Sequence, residues 1–227
     1  MATTIARETH LSRELKRDKP SRRITPRDAF ELALGKWLRG ERIEIGPLAE
    51  ELGVARATVF RWVGSRDLLL GEVIWSLARS LLNDAVSSAK GAGADYGADV
   101  ARRLMTSVLA SGELTQFIAS DPEYALKVLT GKGSVVQSRF IGELTTLIRA
   151  QVQAGHLALV MPDEDMAYLI VRIVEACLYS DQIAGRKPNL DIACEAIRIL
   201  LAARPSPKLS GKASGKARRS GPKSAKR

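Results

Sequence analysis

IGPLAEELGVARATVFRWVG, residues 45–64, is the stretch on which the fold of this chain turns. Leu48, Ala49 and Leu52 recur at helical spacing before Gly53, and Val54, Val59 and Val63 supply apolar positions after it. The pattern predicts two short helices joined by a tight turn, a helix-turn-helix. Ala49 is small where the two helices must cross closely, and Gly53 can take the positive φ that ends a helix and turns the chain. Val59 is apolar where the second helix docks on the first.

That second helix, from about Arg56 to Trp62, divides its residues between core and contact. Val59 and Val63 are one turn apart and face inward, which turns Arg56, Ala57, Thr58, Phe60 and Arg61 outward. Two arginines and a threonine on one face suit a major groove, where Arg binds guanine bidentately and a methyl or hydroxyl meets thymine or phosphate. With Trp62 they form the candidate DNA-contact set.

The flanks support the motif. Thr25 as N-cap, Pro26 at the first helical position and Asp28 three residues after the cap open a preceding helix. Its stripe of Phe30, Ala33, Leu34, Trp37 and Leu38 can cover the helix pair, and Gly40 stops it. After the motif, Ser65 caps another helix with Asp67 in its first turn and Leu70, Val73, Ile74, Leu77 and Leu81 along one side. Arg66, beside the free N–H groups of that helix start, forms a candidate phosphate site.

Charge places the basic residues at the ends. Of the net +10, residues 205–227 contribute +8 with no acid and residues 1–24 contribute +4, so the body between them carries −2. Specific DNA reading by the body must therefore come from a few placed arginines. Residues 1–24 read as a disordered basic arm, and its end sets Arg22 and Arg23 before the first helix, where they can follow a phosphate backbone or enter a minor groove. Residues 205–227 contain a single large aliphatic residue, Leu209, and read as a disordered Lys/Arg-rich tail.

Aromatic residues make up only 5% of the chain while 45% is hydrophobic, which with helical periodicity throughout indicates an all-α protein. Beyond residue 78, helices are predicted over 95–110, 114–119, 121–129, 134–154, 163–184 and 190–203, with a small-residue loop at 87–94. The 163–184 helix is apolar on most sides, as a helix covered on several sides must be. Cys177 and Cys194 fall in apolar patterns without metal-ligand spacing and read as small buried hydrophobes. No apolar run is long enough to span a bilayer and the N-terminus is not signal-like, so no membrane partner is expected and the location is cytoplasmic.

Thr25 to about Ala78 resembles the DNA-binding domain of TetR-family transcriptional regulators, through the first-helix stripe, the block PLAEELGVARATVFRWVGSRDLLL and the serine-plus-basic start that follows. Three residues depart from the family pattern: Phe60 replaces a tyrosine that reaches a phosphate, Ala55 a capping serine, and Val63 a phenylalanine. In the second half, FIASDPEYALKVLTGKGSVVQSRF and LYSDQIAGRKPNLDIACEAI resemble the QsdR-type C-terminal domain. The resemblance implies an all-α chain with a DNA-binding domain over 25–78 and a ligand-binding and dimerisation domain over 79–204. It also implies a double-stranded DNA operator, a homodimer built by the last two helices, and a small amphipathic effector such as a lactone that releases a repressor from DNA.

The family's effector cavity lies among the helices after the DNA-binding domain, which makes Trp75, Phe117, Tyr124 and Phe140 candidate walls, although aromatics at helical spacing are more often plain core. Arg172 and Glu175 interrupt the most apolar helix; either they pair at i, i+3 or one holds a polar ligand group. His10 and His156 stand without a catalytic or metal-ligating constellation, so neither catalysis nor a cofactor is expected. The rival readings are an enzyme acting on a hydrophobic small molecule and a nucleoid-type protein binding DNA without sequence preference.

Overall fold

Thr25 opens the folded body with a reciprocal cap: its Oγ1 accepts the Asp28 amide at 3.4 Å while Asp28 Oδ2 accepts the Thr25 amide at 2.6 Å. A computed structural model describes residues 9–14 and 24–204. The helices are α1 (His10–Glu14), α2 (Pro26–Leu38), α3 (Ile45–Glu51), α4 (Arg56–Val63), α5 (Arg66–Ser88) and α6 (Gly93–Leu109), then α7 (Gly112–Ser120), α8 (Pro122–Thr130), α9 (Val135–Gln153), α10 (Asp163–Leu178), α11 (Ser180–Ala184) and α12 (Leu190–Ala202). No strand occurs among the described residues, as expected for an all-α chain.

The N-terminal core forms where α2, α3, α4 and the first half of α5 meet. Ala33, Leu48, Val59, Val63, Leu69 and Val73 are wholly inaccessible to solvent. Burying each of the larger aliphatics contributes about 1.5–3 kcal/mol, which holds together helices as short as α3 and α4 that could not persist alone. Gly53, at φ +64°, makes the turn between α3 and α4, and Gly64, at φ +81°, ends α4. Lys36, buried along its stem, reaches Glu41 and Glu51 and closes the bottom of this unit.

Helix α5 belongs to both halves of the molecule. Ser65 Oγ accepts the Leu68 amide at 3.1 Å and starts 23 residues of unbroken helix, about 35 Å long. It packs on α2, α4 and α8 and also on α6 and α9. The backbone therefore has no break at residue 78. In the second half α12 lies along α6 and α10 along α9, around Met105, Met166, Ala167, Ile170 and Ile197. Cys177 and Cys194 are both free and buried.

Three elements differ from the sequence pattern. α5 runs to Ser88 and α6 begins at Gly93, so the predicted loop at 87–94 shrinks to four residues, because Ala and Ser sustain a helix whose Ala85 is buried. The helix predicted over 163–184 breaks at Tyr179 (φ −106°, ψ 15°), whose ring is held in the core, and restarts as α11. The arm read as disordered contains α1, which packs on α2 and α4.

The anchor of α1 is remote in sequence. Thr9 Oγ1 accepts the Ser12 amide at 3.0 Å, and Ser12 Oγ donates to Glu72 Oε1 at 2.7 Å. Glu72 is buried in the middle of α5, where Arg139 of α9 grips both its oxygens, at 2.6 and 2.7 Å. A buried carboxylate stripped of its cation is strongly destabilising. Arg139→Met should therefore lower unfolding free energy by about 3 kcal/mol in urea titration, while Glu72→Leu with Arg139→Met should lose much less. A double variant as unstable as Arg139→Met would show that the uncompensated carboxylate is not the cause.

Candidate nucleic-acid interface and effector cavity

The docking of Val59 and Val63 turns the opposite face of α4 to solvent. Arg56, Ala57, Phe60 and Arg61 are exposed and Thr58 is half-buried. Ala55 supplies no side-chain cap at the start of α4, where its carbonyl accepts the Thr58 amide at 2.8 Å. Trp62 departs from this set: it is half-buried and packs against the N-terminal core, because three residues after Val59 it lies toward that residue's inward side of the helix. Arg22 and Arg23 lie outside the described residues, as does the tail from 205 onward.

Arg66 is committed inside the protein and is not a free phosphate clamp. Its Nε donates to the Ile43 carbonyl at 2.7 Å, its Nη2 lies 3.5 Å from Glu44, and its guanidinium stacks 4.9 Å above the Tyr124 ring. Those partners come from the α2–α3 connection and from α8, so nothing near Arg66 in sequence announces them.

Tyr124 and Phe117 belong to the same junction and do not line a cavity within the second half. Tyr124 Oη donates to Asp67 Oδ1 at 2.8 Å, and Lys127 Nζ to Asp67 Oδ2 at 2.9 Å. Phe117 stands edge-on to Trp37 at 5.2 Å and to Tyr124 at 6.0 Å. Helices α7 and α8 are thereby latched to the start of α5, beside the helix-turn-helix. Partial burial raises the Asp67 carboxyl's proton affinity, but the Lys127 and Tyr124 hydrogen bonds outweigh it and hold the group below its ordinary range. A carboxylate depressed on folding stabilises above its unfolded pKa and loses that contribution as pH falls through the folded value, so the latch is intact at neutral pH. Between α7 and the end of α2 lies a polar cleft of about 420 Å³, which Phe117 does help to line.

Two narrower cavities lie among the helices of the second half. One, of about 60 Å³, is bounded by Ile74, Ala78, Phe140, Val171 and Leu178 and ends at Gln137, Glu175 and Tyr179. Phe140 is thus a wall, whereas Trp75 sits behind it, edge-on at 5.2 Å, and is core. Glu175 takes Gln137 Nε2 at 2.9 and 3.2 Å and Arg172 Nη1 at 2.6 Å. The i, i+3 pair is formed, with Arg172 largely in solvent and Glu175 buried at the cavity's polar end. Burial pushes the Glu175 carboxyl up, against the opposing pull of Gln137 and Arg172. The second cavity, also about 60 Å³, is apolar and lies toward Leu82, Val100, Leu157 and Leu201.

Residues 92–202 match the family of tetracyclin repressor-like C-terminal domains. The structure of the transcriptional repressor QsdR of R. erythropolis, from the TetR family, is similar with a TM-score of 0.73 and 34% identity, over 78% of this chain and 93% of QsdR. The chain belongs to the TetR family of transcriptional regulators. A TetR-family transcription regulator from Shewanella sp. PV-4, at 19% identity and a TM-score of 0.50 over 79% of this chain and 98% of that one, shares the fold. No curated protein sequence matches the chain.

As a TetR-family regulator the protein pairs a helix-turn-helix with an α-helical second domain, and no helix among the described residues is long and apolar enough to cross a membrane. Gln137, Tyr179 and the Glu72–Arg139 pair were not singled out in the sequence. Their only local signal is a polar residue on an otherwise apolar helical face. Along the outer faces of α10 and α12, Tyr168, Leu169, Ile192 and Ile199 are exposed.

Tyr124→Phe should keep the ring contacts with Phe117 and Arg66 and remove one hydrogen bond to Asp67, lowering stability by about 1 kcal/mol. Tyr124→Ala should lose more, since the stacking partner of Arg66 goes with it. Equal melting temperatures for Tyr124→Phe and wild type would show that the hydroxyl contributes nothing to the latch.

Proposed function

We propose that this protein is a ligand-responsive repressor that binds operator DNA as a homodimer and is released by a small amphipathic effector such as a lactone. The observation that carries the reading is the continuity of α5, which begins capped beside the helix-turn-helix and passes along the wall of the effector cavity at Ile74 and Ala78. A tilt at the cavity end moves the α4 unit at the other. Two such units in a dimer must match successive major grooves about 34 Å apart, so a small tilt breaks their register.

In this reading Arg56, Ala57, Thr58, Phe60 and Arg61 contact DNA, with Arg61 reading a base edge. The exposed Tyr168, Leu169, Ile192 and Ile199 on α10 and α12 supply the apolar surface by which the subunits pair. The repressor role is supported by the relative QsdR, itself a transcriptional repressor. The basic ends, including Arg22 and Arg23, add sequence-blind attraction to phosphate. Catalysis has no comparable support, since the solved relative QsdR is a transcriptional repressor.

Arg61→Ala should weaken operator binding by about 1–3 kcal/mol and relax specificity, measured by gel shift on selected genomic fragments and on scrambled DNA. Equal losses on both would remove Arg61 from base reading. Phe60→Tyr should tighten binding to both DNAs by adding a phosphate hydrogen bond, because Phe60 is exposed on the outward face. Linkage further requires operator DNA to weaken effector binding by the factor by which effector weakens operator binding. Calorimetric titration of an effector with and without operator tests that equality; identical affinities would rule out ligand-coupled release.

A further inference from the structure

The helix that faces DNA is short and bounded by glycines. α4 has eight residues, between the turn at Gly53 and its own end at Gly64, and both glycines stand at positive φ. A helix of that length cannot persist alone, so its direction is set by what packs on it. Helix α3 covers one side. Helix α1 packs on α4 as well as on α2, although it precedes the helix-turn-helix and lies outside it.

Thr9, at the start of α1, bears on the end of α4. Its side chain is buried, and its Cγ2 lies 3.3 Å from where a Cβ on Gly64 would stand, so the two segments are in close contact. Five residues of helix do not hold their place by their own hydrogen bonds. Thr9 Oγ1 accepts the Ser12 amide at 3.0 Å, which fixes the turn, and Ser12 Oγ donates to Glu72 Oε1 at 2.7 Å. Glu72 cannot yield, because it is buried and Arg139 of α9 holds the same carboxylate with two hydrogen bonds. In the covalent path from α4 to α5, Gly64 is a permissive joint, and α1 bridges that joint from the side.

We propose that α1 is a strut for the recognition helix and that Ser12 and Thr9 are positioning residues for operator reading. They hold α4 at a fixed angle to α5 by joining its end to an ion pair set between α5 and α9. This rests on the reading of α4 as the DNA-contact helix and adds the element that aims it. Arg56 and Arg61 attract phosphate at any angle of α4, whereas a base edge is met at one angle only, so the strut acts on specificity.

The test is gel shift of the full chain, at one salt concentration, on genomic fragments selected by binding and on scrambled DNA, together with amide hydrogen exchange without DNA. Ser12→Ala leaves Glu72 with Arg139 and removes only the hydroxyl. It should weaken operator binding about tenfold and leave scrambled DNA within about twofold, at a melting temperature close to that of wild type. The α4 amides should exchange about tenfold faster, while those in the second half of α5 keep their rates. Ser12→Thr retains the hydroxyl and should restore both readouts. Thr9→Val keeps the shape against Gly64, loses the cap and should show the same pattern to a smaller degree. The proposal is overturned if Ser12→Ala weakens binding to both DNAs equally, if α4 exchange is unaltered, or if Ser12→Thr behaves as Ser12→Ala. A wild-type operator preference that Ser12→Ala leaves undiminished removes this inference and keeps the proposed function. A wild type without operator preference overturns the function itself, and α4 exchange in Ser12→Ala then decides the strut on its own.

Discussion

A carboxylate in the middle of an apolar helix constrains how this molecule is assembled. Glu72 is almost fully buried in α5, and a charge there is tolerable only when a cation and hydrogen-bond donors reach it. Arg139 supplies the cation from α9, with two parallel hydrogen bonds that fix the angle as well as the distance between the helices. Ser12 supplies a third donor from the segment before the DNA-binding helices. One buried charge thus ties the N-terminal segment, the shared helix and the second domain together. An apolar residue at 72 would pack as well without dictating where the other two must lie.

The same long helix carries a second tie at its start. Asp67 is held by Tyr124 and Lys127 of α8, and Arg66 lies over the Tyr124 ring while gripping the α2–α3 connection. The connection that leads into the helix-turn-helix is therefore tied through Arg66 to α5 and α8. Helix α9 links the ties to the cavity: Gln137 meets Glu175 at the polar end, and Arg139, two residues on, meets Glu72. Helix α9 thus touches both the buried charge of α5 and the buried carboxylate of α10.

Arginine roles in this chain divide by partner. Arg66 and Arg139 are consumed by internal carbonyl, carboxylate and ring contacts, while Arg56 and Arg61 project from α4 into solvent. With the body between the ends at −2, the two α4 arginines stand exposed on a body without net positive charge. Selectivity for a base sequence is easier to achieve on such a surface, where background attraction to phosphate is small.

Residues whose environment is set by their own helix were legible in the sequence: the Thr25 and Ser65 caps, the turn at Gly53, the inward Val59 and Val63, the outward Arg61 and the Arg172–Glu175 pair. Periodicity and capping act over three or four residues, so one strand of sequence contains the whole interaction. The resemblance in residues 25–78 and 117–140 was legible for the same reason, since it rests on contiguous motifs. Tertiary structure alone decided that Arg66 turns inward, that Phe117 and Tyr124 build a junction instead of a cavity wall, that Trp75 is core behind Phe140, and that residues 10–14 form a helix. Each of those outcomes depends on a partner 20 to 60 or more residues away, such as Glu72 for Ser12 or Asp67 for Tyr124. An aromatic ring or an arginine satisfies helical spacing equally well in either environment, and only the packing of distant helices chooses between them.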